Sequence, residues 1–345
     1  MRKLTSCIGA ILLALATSAA VAAPVRGLYE ARVPVPDQSP QLREQALQQA
    51  LQAVLVRVTG SRTLPAAEAT TVLVRAGSLV QGYGYEPSAG GHGLLLKAQF
   101  DPRAVDALLR QQGLPVWGPN RATHQVWIAL RDDGQPRALL DAASAPLRAA
   151  AAIATAEARG VPLSFPAMDA TDRQLATFNE VWAGITEGVQ GAARRVNADR
   201  ILIGRVGRES GRWQARWTLL DTAGLSEEWI GAHGSAEEAL AEGIHQLADR
   251  EARRFATQPG IDRDLRLQVA GIRTLQDYGR TLNYLRGLNP VRAAQVEAVQ
   301  NSTVTFRLSV EGEPGSLSRV IAAGSVLRKE EDGFFGPENR YVLVR

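Results

Sequence analysis

Asp169 and Asp172 are the residues of this chain best placed for acid–base chemistry. They follow Pro166 in a loop after a short apolar segment, and loops beyond strand ends are where α/β sheets place ligand sites. Two carboxylates there can divide into proton donor and proton acceptor, the work of a hydrolase or transferase. The plainer reading of the pair is a turn residue and a helix cap. The densest cationic run is Arg200, Arg205, Arg208, Arg212 and Arg216. Guanidinium forks match phosphate and carboxylate, so such a face suits anionic polymers. Its plainer reading is a solvated face paired with acidic neighbours.

Other chemistries find little support. His92, His124, His233 and His245 include no pair at the i, i+4 spacing of a helical zinc site. The single cysteine, Cys7, lies in the first apolar segment, so the rest of the chain has no disulfide, thiolate nucleophile or cysteine metal site. No G-x-S-x-G elbow occurs. Gly204, Gly207 and Gly211 are followed by no Gly-Lys-Ser/Thr and precede a strand pattern, not a helix, so they suit a hairpin better than a phosphate loop. The sequence therefore predicts no catalytic residue, no cofactor and no metal, and favours a non-enzyme.

The elements that would carry these residues fall into three groups. Residues 27–35 read as a strand. A helix then opens at Ser39-Pro40, carries Leu47, Leu51, Val54, Leu55 and Val58 on one stripe, and stops at Gly60. A weaker helix is predicted over 66–79, then a hairpin of 80–86 and 94–100 joined by a glycine loop, then a helix capped by Asp101. After Pro115–Pro119 a continuous apolar strand, 126–130, reads as buried on both faces. A helix over 139–159, a strand over 161–165, a helix over 186–196 and strands over 200–206, 212–220 and 228–232 follow. On the strand from 212, Trp213 and Trp217 share the core face, while Arg212 and Arg216 share the other. Ser235 with Glu238 predicts a capping box for a long helix. Beyond 257–262 the order strand (265–270), helix from Thr274, strands (291–299 and 303–310), short helix and strand (341–344) is that of a ferredoxin-like sandwich, β-α-β-β-α-β. The expected fold class is thus α+β to α/β in three small sheet-plus-helix modules, with domains at 23–118, 119–258 and 259–345. At 45% hydrophobic residues, each can bury a core.

Residues 1–22 differ in kind. Arg2 and Lys3 precede an apolar run from Leu4 to Leu15 and an Ala20-Val21-Ala22 exit, the three parts of a secretory signal. The run is shorter than the roughly 20 apolar residues a membrane span needs. Cleavage near Ala22 is predicted, with a periplasmic or secreted mature protein that has no membrane span. Losing Arg2 and Lys3 lowers the formal charge of +4 by two. So small a surplus argues against a nucleic-acid partner, which would require a dense basic face.

Several phrases carry a resemblance: Leu28-Tyr29-Glu30-Ala31-Arg32-Val33-Pro34-Val35, residues 49–60, Phe100-Asp101-Pro102, residues 113–118, Arg159-Gly160-Val161-Pro162-Leu163 and residues 198–205. Over about residues 25–260 the chain resembles a proteobacterial family of exported proteins known only as a domain of unknown function. That family supplies no catalytic residues to transfer. Residues 41–60 are similar to a segment of periplasmic flagellar-assembly and small outer-membrane lipoprotein modules. Residues 198–233 are similar to the edge of domains in curli-secretion, penicillin-binding-protein-activator and Tol-type envelope proteins, which implies protein contacts. The expected function is a non-catalytic binding or scaffolding role with an envelope protein or polymer as partner.

Overall fold

The computed structural model describes residues 25–88, 93–133, 135–141, 146–221, 224, 226–313, 315–322, 324, 326–330 and 339–344. The predicted signal segment lies outside them, as does most of the glycine loop at 88–93.

The first group comprises β1 (Glu30–Val35), α1 (Pro40–Thr59), α2 (Ala66–Leu73), α3 (Ala76–Leu79), β2 (Val80–Pro87), β3 (Leu94–Phe100) and α4 (Pro102–Gln111). β3 lies between β1 and β2 and is antiparallel to both. The α1 stripe buries Leu51, Val54, Leu55 and Val58 against Val33, Leu96 and Phe100. Ser39 stands at the N-cap of α1 but its side chain makes no capping bond. Asp37 accepts from the Ser39 amide instead, at 2.8 Å. The single weak helix predicted over 66–79 is two, broken at Val74-Arg75. Asp101 caps α4 as expected, accepting from Arg103 and Ala104 amides.

The central group comprises β4 (His124–Arg131), β5 (Ala138–Leu139), α5 (Pro146–Arg159), β6 (Leu163–Ser164), α6 (Ala170–Leu175), α7 (Phe178–Ala183), α8 (Glu187–Arg195), β7 (Arg200–Glu209), β8 (Arg212–Asp221), β9 (Ser226–His233) and α9 (Ala236–Phe255). β4 is buried on both faces, as its unbroken apolar run requires. Its even-numbered residues Val126, Ile128 and Leu130 meet α5 and α9, together with Trp213 and Trp217 from β8. Trp127 and Ala129 meet α6, α7 and α8 on the other face. The expected strand over 161–165 shrinks to Leu163–Ser164, parallel to the first residues of β4. The long parallel partner of β4 is β7. Helices α6 and α7 are short and lack a full apolar repeat, which is why periodicity missed them. The predicted capping box of α9 is half formed. Ser235 accepts from the Glu238 amide, whereas Glu238 reaches the Gly234 amide.

The last group comprises β10 (Arg263–Ala270), α10 (Leu275–Gly287), β11 (Val291–Gln300), β12 (Thr303–Val310), α11 (Ser316–Ala322), β13 (Leu327–Lys329) and β14 (Arg340–Leu343). Its sheet order is β11-β12-β10-β14-β13. The ferredoxin-like sequence of elements is present with a doubled close. β13 runs antiparallel to β14, and β14 enters beside β10 and parallel to it. Tyr341 and Leu343 thereby reach the core under α10 and α11.

Buried arginines fasten the first group to the second. Arg121, 5% exposed, stacks over Trp117 with its guanidinium 3.7 Å from the ring centre. Its Nε donates to Gly118 O at 2.9 Å. Nη1 donates to Arg159 O and Gly160 O at 3.2 and 2.7 Å. Nη2 donates to Arg57 O and Trp117 O at 2.8 and 2.7 Å. Arg159 donates to Gly60 O at 2.7 Å and to Asp249 at 2.6 Å. Gly60 must be glycine twice over. Its φ is +72°, and a Cβ there would lie 2.2 Å from the Ala252 Cβ on α9. Asn289 of the last group donates to Val116 O and to Thr257 Oγ1.

Candidate functional site

The predicted acidic pair is brought together but is occupied. Asp169 caps α6, its Oδ1 accepting from the Asp172 amide at 2.7 Å. Asp172 is buried, and its Oδ2 accepts from the Met168 amide at 3.0 Å, where φ is +52°. Arg195, at the end of α8, grips both: Nη2 to Asp169 at 2.7 Å and Nη1 to Asp172 at 2.6 Å. Arg195 and the Asp172 amide hold the Asp169 carboxyl down to about 2. A group so acidic has no proton to donate near pH 7 and is a poor base. The sign for folding is that of a depressed acid: its contribution is present above the ordinary value of 3.8 and is lost as pH falls through about 2. The pair therefore ties α6 to α8. Asp172→Asn is expected to lower stability by roughly 1–3 kcal/mol, because a buried acceptor of Arg195 is lost. Urea unfolding at pH 7 checks this.

The five arginines do not share one face. Alternation along β7 sends Arg200 and Arg208 toward the α9 side and Arg205 to the other. Arg200 is buried against α9, with Nε 3.5 Å from Glu251 and its guanidinium 5.4 Å from the Phe255 ring centre. Arg208 lies on that same side near the exposed strand end. Arg205 and Arg216 stand directly opposite each other in the β7–β8 ladder, and Arg212 lies further along the same face. The proposed single cationic face is thus corrected to three arginines, with a fourth, Arg131, arriving from β4.

Arg205 and Arg216 border an open cleft of about 280 Å³ beside Trp182, Gly207, Gln214 and Ile230. Gly207 makes the floor possible, since a Cβ there would lie 2.8 Å from the Trp182 ring. Trp182 is stacked 5.6 Å from Phe178, and the Arg131 guanidinium lies over its ring at 4.7 Å. Arg205 is held by Thr218 at 3.2 Å and Glu228 at 3.4 Å, and its buried Nε has no acceptor among the described residues. Burial pushes the Arg205 guanidinium below its ordinary value. Glu209 pairs with Arg131 and Glu228 with Arg205 and Arg216. The charged lining of the cleft itself is Arg205 and Arg216 against Glu209, a small cationic surplus. Ile230 is 69% exposed at its rim.

Sequence reasoning missed one charged cluster. His124, Arg200 and Glu251 meet between β4, β7 and α9, and His124 and Glu251 are each 1% exposed. The Nδ1 of His124 donates to Pro162 O at 3.2 Å, which leaves Nε2 facing Glu251 at 3.7 Å. Burial drives His124 down to about 4 and Glu251 up to about 7. The groups are distant in sequence, and only the helix stripe of α9 could have indicated that Glu251 points inward. All three are buried, so the cluster is part of the core.

Among the described residues no three His, Cys, Asp or Glu side chains gather as a metal site. No described helix is long and apolar enough to cross a membrane.

Residues 22–118 match a family described as a domain of unknown function, DUF8605. This agrees with the resemblance to a domain of unknown function in the first group, over less of the chain than the resemblance spans. No curated protein matches the chain. The LpoB C-terminal domain from Salmonella enterica is similar at 18% identity, over 33% of this chain and 83% of that one, with a TM-score of 0.25. The LpoB C-terminal domain from Escherichia coli gives 16% identity, 33% and 83% coverage and a TM-score of 0.20. A formyltetrahydrofolate deformylase from Pseudomonas putida KT2440 gives 11% identity, 55% and 87% coverage and a TM-score of 0.14. Scores this low transfer neither fold nor function to the chain.

Proposed function

We propose that this is a non-catalytic binding protein of the bacterial cell envelope, organised as domains at 23–118, 119–258 and 259–345, whose protein partner docks on the outer face and edge of the central sheet. The observation that carries the reading is the half of that face formed by β8 and β9. Helices α6 to α8 cover the β4–β7 half of this same face, while Gln214, Arg216 and Ile230 border the open cleft. Arginine, tryptophan and an exposed aliphatic side chain in one patch are what protein interfaces favour.

The edge supports the same reading. Exposed edges are normally blunted against pairing. β1 carries Pro34, β2 and β11 carry register shifts, and β5 and β13 are two and three residues long. β9 pairs with β8 without a shift across eight residues and contains no proline. An extended partner segment can therefore add to β9, placing alternate side chains beside Ile230 and Glu228. The signal-like residues 1–22 support the envelope location.

A photo-reactive side chain at Gln214 tests this in living cells. One envelope protein is expected to be captured. Arg216→Glu and Ile230→Asn, both on exposed side chains, are each expected to reduce that capture about tenfold or more. Capture that both variants leave unchanged would overturn the reading. So would retention of the wild-type protein on isolated anionic cell-wall polymer with no protein captured.

A further inference from the structure

A larger cleft lies elsewhere, where the first group meets the turn between α5 and β6. It encloses about 500 Å³, a volume in the range of small-molecule sites, which favour such junctions. Four cations border it: Arg26, Arg32, Arg57 and Lys97, against the acids Glu30 and Glu157. Leu28, Val161 and Pro162 supply an apolar wall.

The cations are only loosely engaged. Arg32 pairs with Glu86 at 3.4 Å, but both side chains are about half exposed. Lys97 lies 3.7 Å from Glu30 in a similarly wet pair. Exposed pairs of this kind hold their members weakly. Arg26 has no ion-pair partner among the described residues. Arg57 donates through Nε to Leu28 O at 3.2 Å and through Nη2 to Glu30 O, which leaves Nη1 without a protein acceptor among the described residues.

The walls are rigid. The Val25 amide donates to Pro119 O at 2.9 Å, and the Glu30 amide to Gly27 O at 3.1 Å. Gly27 has φ +69° and makes the turn that carries Arg26 to the rim. At the base, Gly160 adopts φ +64°, and a Cβ there would lie 2.8 Å from Leu28 Cδ2. The two groups are thus in contact beneath the cleft, and of its cations Arg57 is held in place by the Leu28 and Glu30 carbonyls before any ligand arrives, which favours binding.

We propose that this cleft is a second binding site, separate from the β8–β9 face, for a small molecule that bears two or more oxyanion groups and an apolar stem. Arg26 and Arg57 Nη1 receive one oxyanion, and Arg32 and Lys97 the other, by releasing Glu86 and Glu30. The stem lies on Leu28 and Pro162. Carboxylate and phosphate share this chemistry, so two probes separate them: tricarballylate and pyrophosphate.

Calorimetric titration of the mature chain with each probe, at low salt, is the test. Saturable binding of at least one probe is expected. Arg32→Gln with Lys97→Gln, both on partly exposed side chains, is expected to weaken it about tenfold or more. Glu157→Gln is expected to strengthen it, because a like charge leaves the cleft. Arg216→Glu, on the other face, is expected to leave it unchanged, which separates this site from the proposed partner surface. No saturable heat with either probe overturns the proposal. So does equal affinity in the double variant and the wild type, or loss of binding in Arg216→Glu.

Discussion

Arg121→Met is expected to lower the unfolding free energy by about 3–5 kcal/mol, although it removes no charge pair. Arg121 donates to the carbonyls of Arg57, Trp117, Gly118, Arg159 and Gly160. These carbonyls come from the end of α1, the link at 117–118 and the end of α5. A methionine keeps part of the stem over Trp117 but supplies no donor. Each buried carbonyl left without a partner costs on the order of 1 kcal/mol net. An opposing gain exists, because burial drives the Arg121 guanidinium down to about 9, so holding it charged is itself unfavourable. That gain does not cancel the loss while the carbonyls stay in place. Arg121→Lys is expected to recover only part of the stability, since one ammonium cannot span five acceptors arranged for a planar fork. Urea unfolding of the three proteins decides it. A drop below about 1 kcal/mol in Arg121→Met would mean that water or side chains rescue the carbonyls.

This use of arginine explains why some of the site was legible in the sequence and some was not. Strand alternation correctly set Trp213 and Trp217 in the core and Arg212 and Arg216 on the other face. It could also have separated Arg200 and Arg208 from Arg205, since their numbers differ in parity along one strand. Charge density groups these arginines, but the pleat separates them. Asp169 and Asp172 stand close in the sequence, and cap and turn is the plainer reading of such a pair. No local pattern marks Arg195 as their partner, because its approach depends on how α8 packs against α6. Long apolar elements such as α1, β4 and α9 declare themselves by period. The short α6 and α7, and the doubled close of the last sheet, depend on tertiary contacts that no local pattern records. Arg121 leaves no local pattern either: a buried arginine whose acceptors are backbone carbonyls has no complementary acid in the sequence to reveal it.

Arg200→Met is expected to cost about 3–5 kcal/mol at pH 8 and markedly less at pH 5. Burial raises Glu251 from 4.5 to about 7, and Arg200 and Arg254 restrain that rise while Glu227 and Asp199 add to it. The folded protein thus holds a proton on Glu251 that the unfolded chain releases. The resulting contribution is full below pH 4.5 and is lost as pH climbs through 7. Removing Arg200 strips the nearest cation, so ionised Glu251 at pH 8 is buried without its main counter-charge. At pH 5 Glu251 is neutral and loses little. His124 runs the opposite way: it is driven from 6.5 to about 4 by burial and by Arg200, so its contribution is full above pH 6.5 and is lost as pH falls through 4. Without Arg200 that acid penalty eases, which again shifts the variant's most stable pH downward. Urea unfolding at both pH values reads the difference. Adding Glu251→Gln to the variant is expected to recover most of the pH 8 deficit, because a buried pair removed whole costs far less than one cut in half. Equal deficits at pH 5 and pH 8 would show that Arg200 acts by packing on Phe255 and not by holding the charge of Glu251.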